Sequence, residues 1–305
     1  MLKIDQLSKH FKSKEVLSSV SLHVNRGEII SILGRSGSGK STLLNLIAGF
    51  ERGDEGRVSL ENRLLCGEGT FIEPSKRSIG FVFQNYALFP HLSVTDNIAF
   101  GITHLSKNER HERVEKLLTL IGLEGYGFKY PDTLSGGEQQ RVALARVLAT
   151  EPSVILLDEP FSNVDTVLKT TIRDQLLTIL RASGATALFV THDPHEAMAI
   201  SDRIAYIDSG KIVQFDTPEV LYHSAVNENV AAFFGPINRY EGGFVRVEQC
   251  RLVQQGGIDG EVYTSKFMGN RYETTVNFTY EQKSCRFLIY TERRYENGEK
   301  VNIEF

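Results

Sequence analysis

Cysteine is scarce. Cys66, Cys250 and Cys285 are far apart, odd in number and without a Cys-x-x-Cys pair, so neither a disulfide scaffold nor a zinc cluster is indicated and a reducing compartment fits best. The N-terminus lacks the apolar core of a secretory signal, and no run approaches the roughly 20 apolar residues that span a bilayer. Any role in membrane transport therefore calls for separate membrane-spanning partners. A formal net charge of -4 makes no general case for nucleic-acid binding. Long polar low-complexity tracts, internal repeats and flexible linkers are also missing, so 305 residues should fold throughout, as one large core and a small additional domain.

What is present begins with Ile29-Ile30-Ser31-Ile32-Leu33, an apolar run that reads as a buried strand. Gly34-x4-Gly39-Lys40-Ser41 follows, then the helical pattern Leu43-Leu44-Asn45-Leu46-Ile47-Ala48. Phosphates need this arrangement. Glycines let the backbone turn without a Cβ in the way, so successive N–H groups can face the same oxygens. The helix N-terminus adds unpaired donors and partial positive charge. Lys40 would reach the β- and γ-phosphates, and the Ser41 hydroxyl would coordinate Mg²⁺.

A second apolar strand, Val154-Ile155-Leu156-Leu157, ends in Asp158 and Glu159. In a chain that already carries a phosphate loop, Asp158 is placed to hold Mg²⁺ directly or through water, and Glu159 to orient or deprotonate an attacking water. Ile79-Gly80-Phe81-Val82-Phe83 reads as another buried strand, delivering Gln84 to a loop edge, where its amide can sense a ligand or make a structural hydrogen bond. Ala187 to Thr191 supplies a further strand before His192. Capping boxes at Ser106/Glu109 and Ser135/Glu138, and Asp193-Pro194-His195-Glu196, mark three helix starts. Strand and helix alternation through residues 29–205 predicts a mostly parallel sheet covered by helices, with ligand loops at the strands' carboxyl ends. After Phe233-Phe234-Gly235-Pro236 the pieces become short, strand-like and glycine-punctuated, which predicts a small all-β domain.

Leu134-Ser135-Gly136-Gly137-Glu138-Gln139-Gln140-Arg141, upstream of Asp158, resembles the signature of ATP-binding cassette (ABC) ATPases. The fold this implies is α/β, a P-loop NTPase with an ABC β-subdomain and a helical subdomain over about 85–150, followed by a small all-β barrel-like domain. The domains are expected at 1–235 and 236–305. The resemblance implies ATP and Mg²⁺ as ligands. It assigns nucleotide contact to Phe11 (adenine stacking), to Gly34, Arg35, Ser36, Gly37, Ser38, Gly39, Lys40, Ser41 and Thr42, and to Ser135, Gly136 and Gly137 acting on ATP held by a second copy. It further implies Asp165 of Ser162-Asn163-Val164-Asp165 as organiser of the paired site, Ser41, Gln84 and Asp158 around the metal, and Glu159, His192 and Gln84 in catalysis, His192 as the γ-phosphate switch.

Asn85-Tyr86-Ala87-Leu88-Phe89-Pro90-His91-Leu92, Gln214 to Pro218 and Ala231 to Gly235 resemble ATPases of bacterial solute importers. The C-terminal stretch Ser265 to Asn270, followed by alternating Tyr272 to Phe278, is similar to the oligonucleotide-binding-like domains of maltose, sulfate, polyamine and ferric-iron importers. The expected protein is an ATP-hydrolysing subunit, peripheral on the cytoplasmic face of the membrane. Its expected partners are a second copy, two transmembrane permease domains and an extracytoplasmic solute-binding protein, with no nucleic acid. The competing readings are an exporter ATPase, a soluble cassette ATPase on ribosomes or DNA, and a nonhydrolytic regulatory module. Two fused cassettes or a coiled-coil insertion, usual in the ribosome and DNA class, are absent, and the complete catalytic set disfavours the last.

Overall fold

The computed structural model describes residues 1–162, 164 and 166–305. Strands β1 (Leu2–Phe11) and β2 (Lys14–Val24) form a hairpin, and β3 (Ile29–Leu33) runs into the glycine loop and α1 (Lys40–Ala48). β4 (Glu55–Leu60), β5 (Arg63–Gly67) and β6 (Thr70–Phe71) extend the hairpin into an antiparallel sheet of order β2-β1-β4-β5-β6. β7 (Ile79–Val82) leads to a helical section, α2 (Val94–Ala99), α3 (Lys107–Leu120) and α4 (Gly136–Ala149). The chain then alternates through β8 (Val154–Asp158), α5 (Thr166–Ser183), β9 (Ala187–Thr191), α6 (Pro194–Ile200), β10 (Arg203–Asp208) and β11 (Lys211–Asp216).

The central sheet has the order β11-β10-β3-β9-β8-β7 and is parallel except for the β10–β11 hairpin. Strands covered on both faces are mostly apolar, and β3 and β9 are buried throughout, their polar Ser31 and Thr191 satisfied by the hydroxyl of Ser201 and the carboxylate of Glu196. Alternation then splits β8 between two cores. Val154 and Leu156 pack with α1 residues Leu43, Leu44 and Ile47 and with the antiparallel sheet. Ile155 and Leu157 face α4 and α5, through Val142, Leu144 and Leu176. Register aligns Leu33 with Thr191 and Asp158 with Val190. The loops after β3, β8 and β9 therefore leave the sheet along one edge.

Beyond Gln84 the chain is pinned by two side chains, one half-buried and one fully buried. Arg146 donates to the carbonyls of Tyr86 (3.0 Å) and Ala87 (2.7 Å), whose φ angles are 60° and 46°. Asn97, wholly buried, accepts from the Phe89 N–H and donates to the carbonyls of Phe89, Leu92 and Ser93.

Packing divides the chain into Met1–Pro218 and Glu219–Phe305. The second unit contains all but the first residue of α7 (Pro218–His223), then α8 (Glu228–Phe234), β12 (Ile237–Tyr240), β13 (Gly243–Arg246), β14 (Arg251–Val253), β15 (Ile258–Phe267), β16 (Tyr272–Tyr280), β17 (Lys283–Thr291) and β18 (Lys300–Glu304). Sequence texture changes at 235/236, whereas packing assigns both preceding helices to the β-rich unit. The reason is Arg246, only 4% exposed, which donates to the carbonyls of Tyr222, Ala231 and Gly235. A buried guanidinium needs such acceptors, so it ties α7 and α8 to β13. A half-barrel of order β14-β18-β15-β16-β17 encloses Val262, Val276, Phe278, Phe287, Ile289 and Ile303. The three cysteines are free, and among the described residues no helix is long and apolar enough to cross a membrane.

Candidate active site

The glycine loop is held in shape before any ligand arrives. Gly39, the N-cap of α1, has φ 103°, and a Cβ there would lie 2.6 Å from Leu17 Cδ2 and 2.8 Å from the Val16 carbonyl oxygen. Only glycine fits. The Ser38 N–H donates to the Arg35 carbonyl (3.2 Å), and the Gly210 N–H, from the β10–β11 turn, to that of Ser38 (3.2 Å). Among the described residues no side chain caps α1, so its first N–H groups lack a capping acceptor there. Ser38 Oγ is buried without a hydrogen-bond partner. Lys40, 5% exposed, donates to the carbonyls of Gly34 (2.9 Å) and Arg35 (3.0 Å). Burial lowers its pKa, against the pull of Glu159 and Asp158. Unpaired N–H groups, an orphaned hydroxyl and a half-desolvated ammonium fit a polyphosphate. Arg35, Ser36 and Gly37 are exposed at the rim, and Thr42 is half-buried in α1.

Ser41 Oγ donates to Asp158 Oδ1 at 3.3 Å, bringing together two oxygens suited to Mg²⁺. Burial raises the Asp158 pKa; the Ser41 hydrogen bond lowers it, Glu159 raises it further and Lys40 lowers it. A carboxylate that is costly to ionise here is one a cation would relieve. The residues present therefore fit the metal.

Just past the end of β8, Glu159 adopts φ 41°, which turns it out of the strand's alternation. Its N–H donates to the Val190 carbonyl (3.1 Å), and its own carbonyl accepts from the N–H (3.1 Å) and hydroxyl (2.9 Å) of Ser162. The carboxylate Oε2 lies 3.3 Å from His192 Nδ1. Gln84 Nε2 donates to Ser162 Oγ at 3.0 Å. One chain of polar contacts thus runs from Gln84 through Ser162 and Glu159 to His192. Ser162 was legible only as part of a motif, and its bridging position depends on residues 78 positions apart.

Ser135 N-caps α4 in a closed capping box. Its hydroxyl accepts from the Glu138 N–H (3.4 Å) and donates to the Glu138 carboxylate (2.8 Å), which also accepts the Ser135 N–H (2.7 Å). A Cβ on Gly136 would meet nothing within 4 Å. Phe11 ends β1 with 43% of its surface exposed, the Lys9 ammonium 5.1 Å from its ring centroid. Asp165 lies outside the described residues.

Two features went unseen in the sequence. Glu196 occupies N3 of α6 but bonds Thr191 and Lys169 instead of the N-cap backbone. Arg77, 1% exposed, donates to the Leu46 and Ile47 carbonyls at the far end of α1. A lone arginine 30 residues downstream carries no pattern that would announce it.

A family model described as "ABC transporter" matches residues 17–162. The chain is 45% identical over 258 residues to the spermidine/putrescine import ATP-binding protein PotA of Thermotoga maritima, covering 84% of this chain and 69% of the relative. It is 46% identical to the Fe(3+) ions import ATP-binding protein FbpC 2 of Haemophilus influenzae, over 77% of this chain and 67% of the relative. Among solved structures, a dimeric ATP-binding cassette in a post-hydrolysis state, bound to ADP and Pi, aligns with TM-score 0.61 and 33% identity over 72% of this chain and 99% of that chain.

Proposed function

Because this chain belongs to the ABC transporter family, as an ATP-hydrolysing subunit of the solute-import class, we propose that two copies enclose ATP between them and drive separate membrane subunits. The observation that carries this reading is the convergence of Ser41 with Asp158 and of Glu159 with His192, each pair 3.3 Å apart, at the ends of three neighbouring strands.

Residues Gly34 to Thr42 of one copy hold the triphosphate, with Lys40 leaving its loop carbonyls for the β- and γ-oxygens, and Phe11 stacks on the adenine. Ser135, Gly136 and Gly137 of the second copy donate to the γ-phosphate from the opposite side, beside its Asp165. Ser41 and Asp158, with Gln84 at the rim, would hold Mg²⁺, which when bound neutralises charge on the phosphates. Glu159 orients the attacking water and accepts its proton, and His192 donates to the γ-phosphate while holding the Glu159 carboxylate in place. Products are ADP and phosphate.

Closure on ATP and reopening after hydrolysis reach the membrane through the loop from Gln84 to Leu92, stiffened by Arg146 and Asn97. The chain sits peripherally at the cytoplasmic face, beneath two permease domains served by an extracytoplasmic solute-binding protein. Its solute is a small ion or molecule of the kinds its relatives are named for, and selectivity resides in the other subunits. The division into a cassette and a C-terminal β-rich regulatory domain belongs to the same proposal.

Reconstitution of the chain with its co-purifying membrane subunits tests this, by phosphate release and by uptake of spermidine, ferric iron and sulfate. ATP-dependent uptake of one solute that disappears in Glu159→Gln is the expected result. Association with ribosomes or DNA and with no membrane protein would overturn it.

A further inference from the structure

Helix α5 carries Lys169, Ile172 and Gln175 three residues apart, so consecutive members of the set are neighbours on its surface. Each meets a different part of the site. The Lys169 ammonium pairs with the Glu196 carboxylate and, at 3.3 Å, with Asp193 Oδ2. Ile172 packs against the signature turn: a Cβ on Gly137 would come 2.8 Å from Ile172 Cδ1. Gln175 Oε1 accepts from Arg141 Nη1 at 3.0 Å, one turn further along the signature helix.

The two acids held by Lys169 both follow the switch histidine, and Glu196 reaches back to Thr191 on its other side. Asp193 caps α6, accepting the N–H groups of His195 (2.8 Å) and Glu196 (3.4 Å). Thr191 Oγ1 accepts the Asp193 N–H (3.0 Å) and donates to Glu196 Oε2 (2.5 Å). His192 therefore sits between two residues locked to each other and to one buried carboxylate. Glu196 is 6% exposed, and a carboxylate so buried holds its position only with a counter-charge. Lys169 supplies it.

We propose that Lys169 is a positioning residue for ATP hydrolysis: it fixes the backbone on both sides of His192, and through α5 it links the placement of His192 to the seating of Gly137 in the same chain. The inference rests on the reading of His192 and the Ser135–Gly137 turn as opposing contacts of the γ-phosphate. A single copy contributes both, one to each of the two shared ATP sites. Helix α5 then connects the sensor of one site to the donor turn of the other.

The test is MgATP hydrolysis by the purified full chain, with kcat and KM measured separately. Lys169→Met is expected to lower kcat about tenfold with KM within about twofold, whereas Lys169→Arg keeps most of the rate. In a His192→Ala background Lys169→Met should cost nothing further, because it acts through that histidine. Ile172→Ala should lower kcat several-fold in the otherwise unaltered chain and not in the Lys169→Met chain. Lys169→Met/Glu196→Gln removes the buried pair together, leaving without its ammonium only Asp193, which is half-buried, and carries the same kcat deficit. Wild-type kcat in either Lys169→Met chain, or equal fold losses with and without His192, would overturn the proposal. Dimerisation of a Glu159→Gln chain on MgATP reports on the shared-site reading alone, so the two can fail separately.

Discussion

Helices α1 and α4 both begin at a glycine-bearing turn assigned to phosphate, and they are finished in opposite ways. At α1 the N-cap is glycine, no side chain caps the helix, and nearby Ser38 Oγ is unsatisfied. At α4 the N–H groups of Ser135 and Glu138 are closed by the capping box between those two residues. The start of α1 has donors with no capping acceptor among the described residues, whereas the signature turn holds a carboxylate of its own. A binding surface that works alone can be left open. On the proposed shared site, a turn that works only against a second copy keeps its own acceptor in Glu138 until the phosphate replaces it. The glycines differ in the same sense: Gly39 is demanded by its own fold, Gly136 by nothing among the described residues of its chain.

Substitutions on either side of this contrast should separate binding from turnover. The largest expected effect is Glu159→Gln, which retains ATP and loses hydrolysis by roughly 10²- to 10⁴-fold in a phosphate-release assay. Lys40→Ala should follow, with about 10²-fold losses in both turnover and equilibrium ATP affinity, because its charge acts on the bound nucleotide as well as on the transition state. Next comes the paired comparison of glycines. Gly136→Ala should leave the thermal midpoint and single-chain nucleotide affinity unchanged while turnover falls about tenfold, the methyl group standing where the second copy's phosphate must come. Gly39→Ala should instead destabilise the fold itself by about 1–3 kcal/mol, visible in denaturant titration.

The smallest effect concerns pH. Hydrogen bonds from the Ser135 N–H and hydroxyl hold the Glu138 carboxyl below its usual value of 4.5. A carboxylate whose pKa is depressed by folding stabilises the helix start above its unfolded pKa and loses that contribution as pH falls through the folded value. The protection of amides in the first turn of α4, measured against their intrinsic exchange rates, should therefore fall as pH drops through the folded value of Glu138, below 4.5, and the first turn of α1, which has no such cap, should show no matching transition.

Much of the cassette was legible because its chemistry is local. Strand, loop and helix around Lys40 follow one another within 20 residues, and the Ser135/Glu138 and Asp193/Pro194 starts announce themselves by spacing. The parallel sheet was legible because β3, β8 and β9 are short and mostly apolar, as strands covered on both faces are, with Ser31 the one polar residue inside them and Asp158 and Thr191 at their ends. What stayed hidden depends on partners distant in the chain. Lys169 meets Glu196 only once α5 and α6 are packed, and the φ of Glu159 that frees it from strand alternation has no sequence mark. The tie between α7, α8 and β13 rests on Arg246, an arginine that hydropathy alone assigns to the surface.

The shared site can be tested most directly by light scattering on the Glu159→Gln chain, with and without MgATP. A joint enclosure of ATP by the cradle and the signature turn predicts one chain mass without nucleotide and twice that mass with it. The shift should be lost when Gly136→Ala is added. A chain that binds MgATP to saturation and keeps a single chain mass, alone and with its membrane subunits absent or present, would contradict it.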